Sequence, residues 1–106
     1  MADAGTLAAM AGDPRSVMVF SAPADPQRRE QLDALAFDQA AAARRDVIVV
    51  DVAERLDALA LCDLYRVPPG TFAVILIGRA GAELERWEEP VETDELWRLI
   101  DRLDTG

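Results

Sequence analysis

Twenty carboxylates, eleven guanidiniums, one thiol and one phenol are the ionisable side chains of this 106-residue chain. All eleven basic residues are arginine, so Schiff-base chemistry and a P-loop lysine are excluded. Histidine is absent as well. Without an imidazole there is no Ser-His-Asp or Cys-His nucleophile, no histidine-ligated zinc and no group that switches near neutral pH. These exclusions are the firmest functional statements in the sequence.

The thiol, Cys62, lies in Leu59-Ala60-Leu61-Cys62-Asp63-Leu64, inside a helical pattern. A reactive thiolate needs a nearby cation or a helix N-terminus, and Asp63 works against it. Cys62 is therefore expected to be a small buried apolar residue. One cysteine cannot form an internal disulfide, so nothing requires an oxidising compartment. Glu83, Glu85, Glu88, Glu89, Glu92, Asp94 and Glu95 form an acidic stretch. Carboxylate pairs can do acid–base work and oxygen clusters can bind calcium. No calcium-loop spacing is present, so the stretch reads as a solvated face and no metal or cofactor is expected. Trp87 and Trp97 read as core or boundary packing; an exposed one beside the acids would instead anchor a partner.

Composition sets the frame for these residues. The chain suits one domain, and about half of its residues are apolar, which argues against disorder. The net charge of −9 repels a phosphate backbone, so no nucleic-acid partner is expected. No window approaches the ~20 apolar residues of a membrane span. The start lacks the basic and apolar regions of a secretory signal, so the expected location is the cytoplasm, or outside it if a leader has been removed.

Apolar spacing then lays out the elements. Residues 1–15 form a short lead-in with a possible helical turn at Leu7 and Met10, and residues 16–106 form the single domain. Ser16–Phe20 reads as a buried strand. Asp25 is an N-cap, with Pro26 at the first helical position. A helix from Pro26 to about Arg44 places Leu32, Leu35, Ala36 and Ala43 on one face, which Phe37 widens. Val47–Val52 is almost wholly apolar and β-branched, as interior strands covered on both faces are. Glu54–Tyr65 is helical, with Leu56, Leu59, Ala60 and Leu64 inward, and Pro68-Pro69 ends it. Phe72–Ile77 and Ala82–Trp87 make an antiparallel hairpin around Gly78–Gly81. Thr93 caps a final helix carrying Leu96, Leu99, Ile100 and Leu103. The order β-α-β-α-β-β-α predicts an α/β fold, a four-stranded mixed sheet with helices on both faces.

That order resembles the minimal thioredoxin fold. Where thioredoxins carry Cys-x-x-Cys, this chain has Ala24-Asp25-Pro26-Gln27, which keeps a proline and has no sulfur. Disulfide exchange needs sulfur at both ends, so dithiol oxidoreductase activity is not expected. The resemblance also implies a cis proline in Val67-Pro68-Pro69-Gly70-Thr71, with either proline open as its site. X–Pro bonds accept cis at a cost of only ~0.5–1 kcal/mol. Gly70 departs from the usual proline–threonine step. A closer resemblance is to an uncharacterised family of short, thioredoxin-like bacterial proteins known only as a domain of unknown function. It rests on Val19-Phe20-Ser21-Ala22-Pro23, Arg45-Asp46-Val47, Tyr65-Arg66-Val67-Pro68-Pro69-Gly70, Phe72–Gly78 with Gly81, and Glu89-Pro90-Val91. The likeness spans nearly the whole chain and supplies a fold without an activity. Glu83 and the ending Asp101–Gly106 depart from that family's basic residue and Met-Pro-rich tail.

The resemblance implies a binding groove between Pro23, Ala24 and Asp25 on one side and Pro68, Pro69 and Gly70 on the other. The expected function is a non-catalytic interaction module for a protein or peptide partner. The alternative is a single-cysteine peroxidase or thiol transferase using Cys62. A third reading is self-association through a sheet edge or the Trp-bearing end.

Overall fold

Alternation along two strands decides the layers of this domain. A computed structural model of the protein describes residues 14–105. The helical turn expected at Leu7 and Met10 lies outside the described residues. Strand β1 (Arg15–Phe20) sends Val17 and Val19 to one face and Met18 and Phe20 to the other. Strand β3 (Ala73–Ile77) is buried along its whole length and alternates in the same way. Side chains of a strand point to opposite faces at a period of two, so each strand feeds two cores.

The sheet runs β2-β1-β3-β4, with β2 (Val47–Asp51) parallel to β1, and with β3 antiparallel to both β1 and β4 (Glu83–Trp87). Over one face lie α1 (Pro26–Phe37), α2 (Gln39–Arg44) and α4 (Thr93–Thr105), closing on Val17, Val19, Val74 and Leu76. Over the other lies α3 (Ala58–Tyr65), reached through a 3₁₀ turn at Val52–Glu54. This is the expected thioredoxin-like α/β architecture.

Four details differ from the expectation, each for a physical reason. The helix after Asp25 is two helices, because Asp38 breaks it. The Asp38 carboxylate accepts a hydrogen bond from the Trp97 indole at 2.7 Å, while its carbonyl starts α2 by accepting from Ala41 and Ala42. Phe37 is 93% exposed, about 200° round α1 from Leu35, and Gln31 joins Leu35 inside. Gln31 donates from Nε2 to the Val91 carbonyl at 3.1 Å and accepts from the Val91 N–H at 2.7 Å, as a strand neighbour would. Strand β2 is an edge of the sheet, not an interior strand, and Ile48 and Val49 are partly open.

Helix α3 is turned relative to its expected face. Ala58, Leu61, Cys62 and Tyr65 pack on the sheet, and Leu56, Leu59 and Leu64 face out. Tyr65 fixes that rotation by meeting the Phe20 ring edge-on at 6.4 Å and donating its hydroxyl to the Gly81 carbonyl at 3.2 Å. Finally, α4 begins at Thr93 itself rather than after it. The Thr93 hydroxyl is engaged by the Asp38 carboxylate instead of capping the helix.

Candidate functional site

Strand register brings the two expected groove segments to one end of the sheet. Phe20 at the end of β1 pairs with Ala73 at the start of β3. The loop 21–25 that leaves β1 and the loop 66–72 that enters β3 therefore emerge together. Val19 pairs with Asp51, so β2 ends there too.

The loop at Pro23–Asp25 is held by polar contacts. Asp25 caps α1 as expected, its carboxylate accepting from the Gln27 N–H at 2.9 Å. Arg28, one turn into α1, donates to the Pro23 carbonyl at 2.8 Å. The same guanidinium forms a bidentate pair with Asp51 at 3.1 and 2.6 Å and reaches Glu54 at 3.2 Å. Planar two-bond pairing of this kind fixes orientation as well as distance. Arg28 thus ties the loop, α1 and the end of β2 together where the thioredoxin-like corner lacks sulfur. Nothing in the sequence links Arg28 to Asp51, and only the parallel register brings them together.

The opposite loop has a different geometry from the one expected. Every described peptide bond is trans, so neither Pro68 nor Pro69 is the cis proline that the resemblance implied. Thr71 N–H donates to the Pro68 carbonyl at 3.0 Å, and Gly70 has φ +87°. Proline at the second position and a positive-φ glycine at the third are the signature of a type II turn. Gly70, the residue that departed from the proline–threonine step, supplies the left-handed conformation this turn requires.

Pro68 and Pro69 line an open cavity of about 480 Å³ whose remaining wall includes Leu59, Cys62, Arg66 and Val67 of the α3 side. Pro23, Ala24 and Asp25 are absent from that lining. Cys62 is half-buried rather than fully inside, and it borders both the core under α3 and this cavity. Arg66 ends α3 in the left-handed conformation at φ 58°, with the Val67 N–H donating back to the Cys62 carbonyl at 2.8 Å. Glycine is the usual occupant of that position. Arg86 of β4 donates to the Tyr65 carbonyl and so satisfies the helix end from outside.

The acidic stretch divides among structural partners. Glu83 pairs with Arg86 at 2.8 Å, which holds its carboxyl below the usual range. Glu95 accepts from the half-buried Trp87 indole at 3.2 Å. No group of three or more potential metal-ligating side chains gathers among the described residues. Trp97 is buried and carries the Arg45 guanidinium over its ring at 5.5 Å. No described helix is long and apolar enough to cross a membrane.

Solved structures with this arrangement are thioredoxin-like. A thioredoxin from Thermus thermophilus aligns with a TM-score of 0.62 and 19% identity, covering 95% of this chain and 82% of that one. A thioredoxin from Fasciola hepatica gives 0.61 and 21%, covering 95% and 91%. The C-terminal domain of Neisseria meningitidis DsbD in the oxidised form gives 0.60 and 20%, covering 94% of each. At these identities the likeness shows the fold alone. No curated protein matches the sequence. The family described as "Domain of unknown function (DUF4174)" matches residues 6–105, and the chain belongs to that family.

Proposed function

We propose that this chain is a non-catalytic binding module that holds an apolar, extended segment of a protein partner at the loop end of the sheet. The observation that carries the reading is the apolar surface left open there. Leu59 is 71% exposed and shares a cavity with Pro68 and Pro69. An exposed leucine on a concave wall with two prolines is a feature that binding sites use. Pro23, Ala24 and Asp25 do not line that cavity; they emerge at the same end of the sheet, on the loop that Arg28 holds, and the reading takes them as the second lip. Selection from a displayed library of random peptides checks this. Apolar extended sequences are expected to enrich, to shift the amide resonances of Ala24, Leu59 and Gly70, and to lose affinity with Leu59→Asp. Enrichment that survives Leu59→Asp, or shifts confined to another surface, refutes the reading.

One observation favours a second reading, thiol chemistry at Cys62. The thiol borders the cavity that Arg66 and both prolines line. Under glutathione disulfide, a competent thiolate would form a mixed disulfide and release one glutathione. Intact-mass measurement of the folded protein decides: an unmodified Cys62 eliminates this reading and leaves the binding module standing.

A further inference from the structure

The cavity beside the two prolines carries charge as well as apolar surface. Leu59, Cys62, Asp63 and Arg66 all line it, and their offsets of three, four and seven set them in one stripe along α3 and its cap. Asp63 and Arg66 are both exposed. Neither side chain makes a hydrogen bond or an ion pair among the described residues.

Opposite charges three apart on a helix stand within reach of each other. Exposed neighbours elsewhere in this chain do close: Arg55 meets Asp57 at 2.7 Å, and Arg86 meets Glu83 at 2.8 Å. Asp63 and Arg66 stay apart for a backbone reason. Arg66 caps α3 in the left-handed conformation at φ 58°, so its side chain leaves the line of the helix. That turn is fixed from both sides. The Arg66 N–H donates to the Asp63 carbonyl at 3.3 Å, and Arg86 donates to the Tyr65 carbonyl. Two opposite charges are thus held on one cavity wall without neutralising each other.

We infer, resting on the binding reading above, that this wall reads an extended partner segment with an apolar, a basic and an acidic residue at alternate positions. Alternate residues of an extended chain share a face at a spacing of ~6.5–7 Å. Leu59 to Asp63 spans four residues and Asp63 to Arg66 three, or ~6 Å and ~4.5 Å of axial rise. The long side chains of a lysine on the partner and of Arg66 take up the difference. The apolar side chain meets Leu59, the base meets Asp63 and the acid meets Arg66, in that order for either direction of the partner chain.

The acidic position separates this recognition from general attraction. A chain of net charge −9 draws basic peptides and repels acidic ones at long range. Arg66 reverses that preference locally, because a carboxylate placed there completes a charge pair that the fold leaves open. Matching of this kind sets which partner binds and in which register.

Fluorescence anisotropy with three labelled peptides tests the inference on the full chain. On a threonine background, which favours the extended state, they carry Leu-Thr-Lys-Thr-Glu, Leu-Thr-Lys-Thr-Gln and Leu-Thr-Glu-Thr-Lys. The first is expected to bind several-fold tighter than the second, against the net charge, and tighter still than the third. Arg66→Asn keeps a residue that tolerates the left-handed turn and removes the charge, so it is expected to erase the advantage of the first peptide over the second. The double variant Asp63→Arg with Arg66→Asp is expected to prefer the third. Should these variants fail to fold, high salt makes the same test on the parent chain, where screening is expected to bring the first two affinities together. If the second peptide binds as tightly as the first while Leu59→Asp abolishes both, the inference falls and the binding reading stands. An advantage that persists in Arg66→Asn or at high salt overturns the inference as well. If none of the three binds, the reading itself falls and takes the inference with it.

Discussion

Helices α3 and α4 lie on opposite faces of one sheet and use their apolar residues in opposite ways. In α4, Leu96, Trp97 and Ile100 are buried, and the outer face is acidic and basic. In α3 no residue is fully buried; small Ala58 and Cys62 approach the sheet while Leu59 and Leu64 stand in solvent. The difference separates a face that holds the fold, under α4, from one that the proposed function leaves to a partner, outside α3.

The sharpest test of that division is Ile100→Ala. Ile100 is fully buried among Val17, Val19, Leu35 and Leu96, so the lost side chain leaves a cavity in the larger core. A deletion of this type costs about 2–5 kcal/mol. In a domain of this size each kcal/mol lowers Tm by roughly 4–8 °C. Thermal and urea unfolding followed by circular dichroism measure the loss. A change no larger than surface substitutions give would place the stabilising core elsewhere.

Acid gives a smaller and more selective probe of the same side. The Trp97 indole N–H, then the Thr93 hydroxyl, hold the Asp38 carboxyl below its usual range, against the opposing effect of burial. The hydrogen bond and charge of Arg15 do the same for Asp104 of α4. A lowered folded-state pKa means the unfolded chain takes up the proton first. The stabilisation is therefore complete above the unfolded aspartate pKa of about 3.9 and is lost as pH falls from there through the lower folded values. Unfolding midpoints measured from neutral pH downward are expected to fall in that window. Trp97→Phe removes the indole donor and is expected to flatten part of the dependence. An unchanged pH profile in that variant would show that Asp38 does not anchor α4.

How far the residues announce these features differs in the same way between the two helices. In α4 charged and apolar residues segregate cleanly, and only one rotation buries Leu96 and Ile100. In α3 the run Ala58–Tyr65 is apolar almost all round, so periodicity offers two stripes and the larger leucines draw the eye to the wrong one. What chooses between them is non-local: Tyr65 reaches Phe20 and Gly81, and Ala58 and Cys62 allow close approach. The order of elements along the chain and the Asp25 cap are readable because they rest on local chemistry. Val47–Asp51 misleads because an apolar run reports burial in general and not its position in a sheet. The type II turn is written in Pro69-Gly70, yet the fold resemblance pointed to a cis proline instead. Gln31 left a usable trace, a polar residue four before Leu35 on the buried face. Arg28–Asp51 left none.

The smallest expected effect is the most informative about α3. Leu59→Ser and Leu64→Ser each replace a side chain that is mostly in water and touches little of the second core. Surface changes of this kind usually stay within about ±0.5 kcal/mol. Unfolding midpoints are expected to match the parent protein, while affinity for the selected apolar peptides falls. If stability instead drops as far as in Ile100→Ala, these leucines belong to a core, and the division between the two faces fails. If both stability and peptide affinity stay unchanged, the leucines are neither structural nor part of the partner surface. That outcome refutes the proposed binding reading, which rests on Leu59 as part of the partner surface.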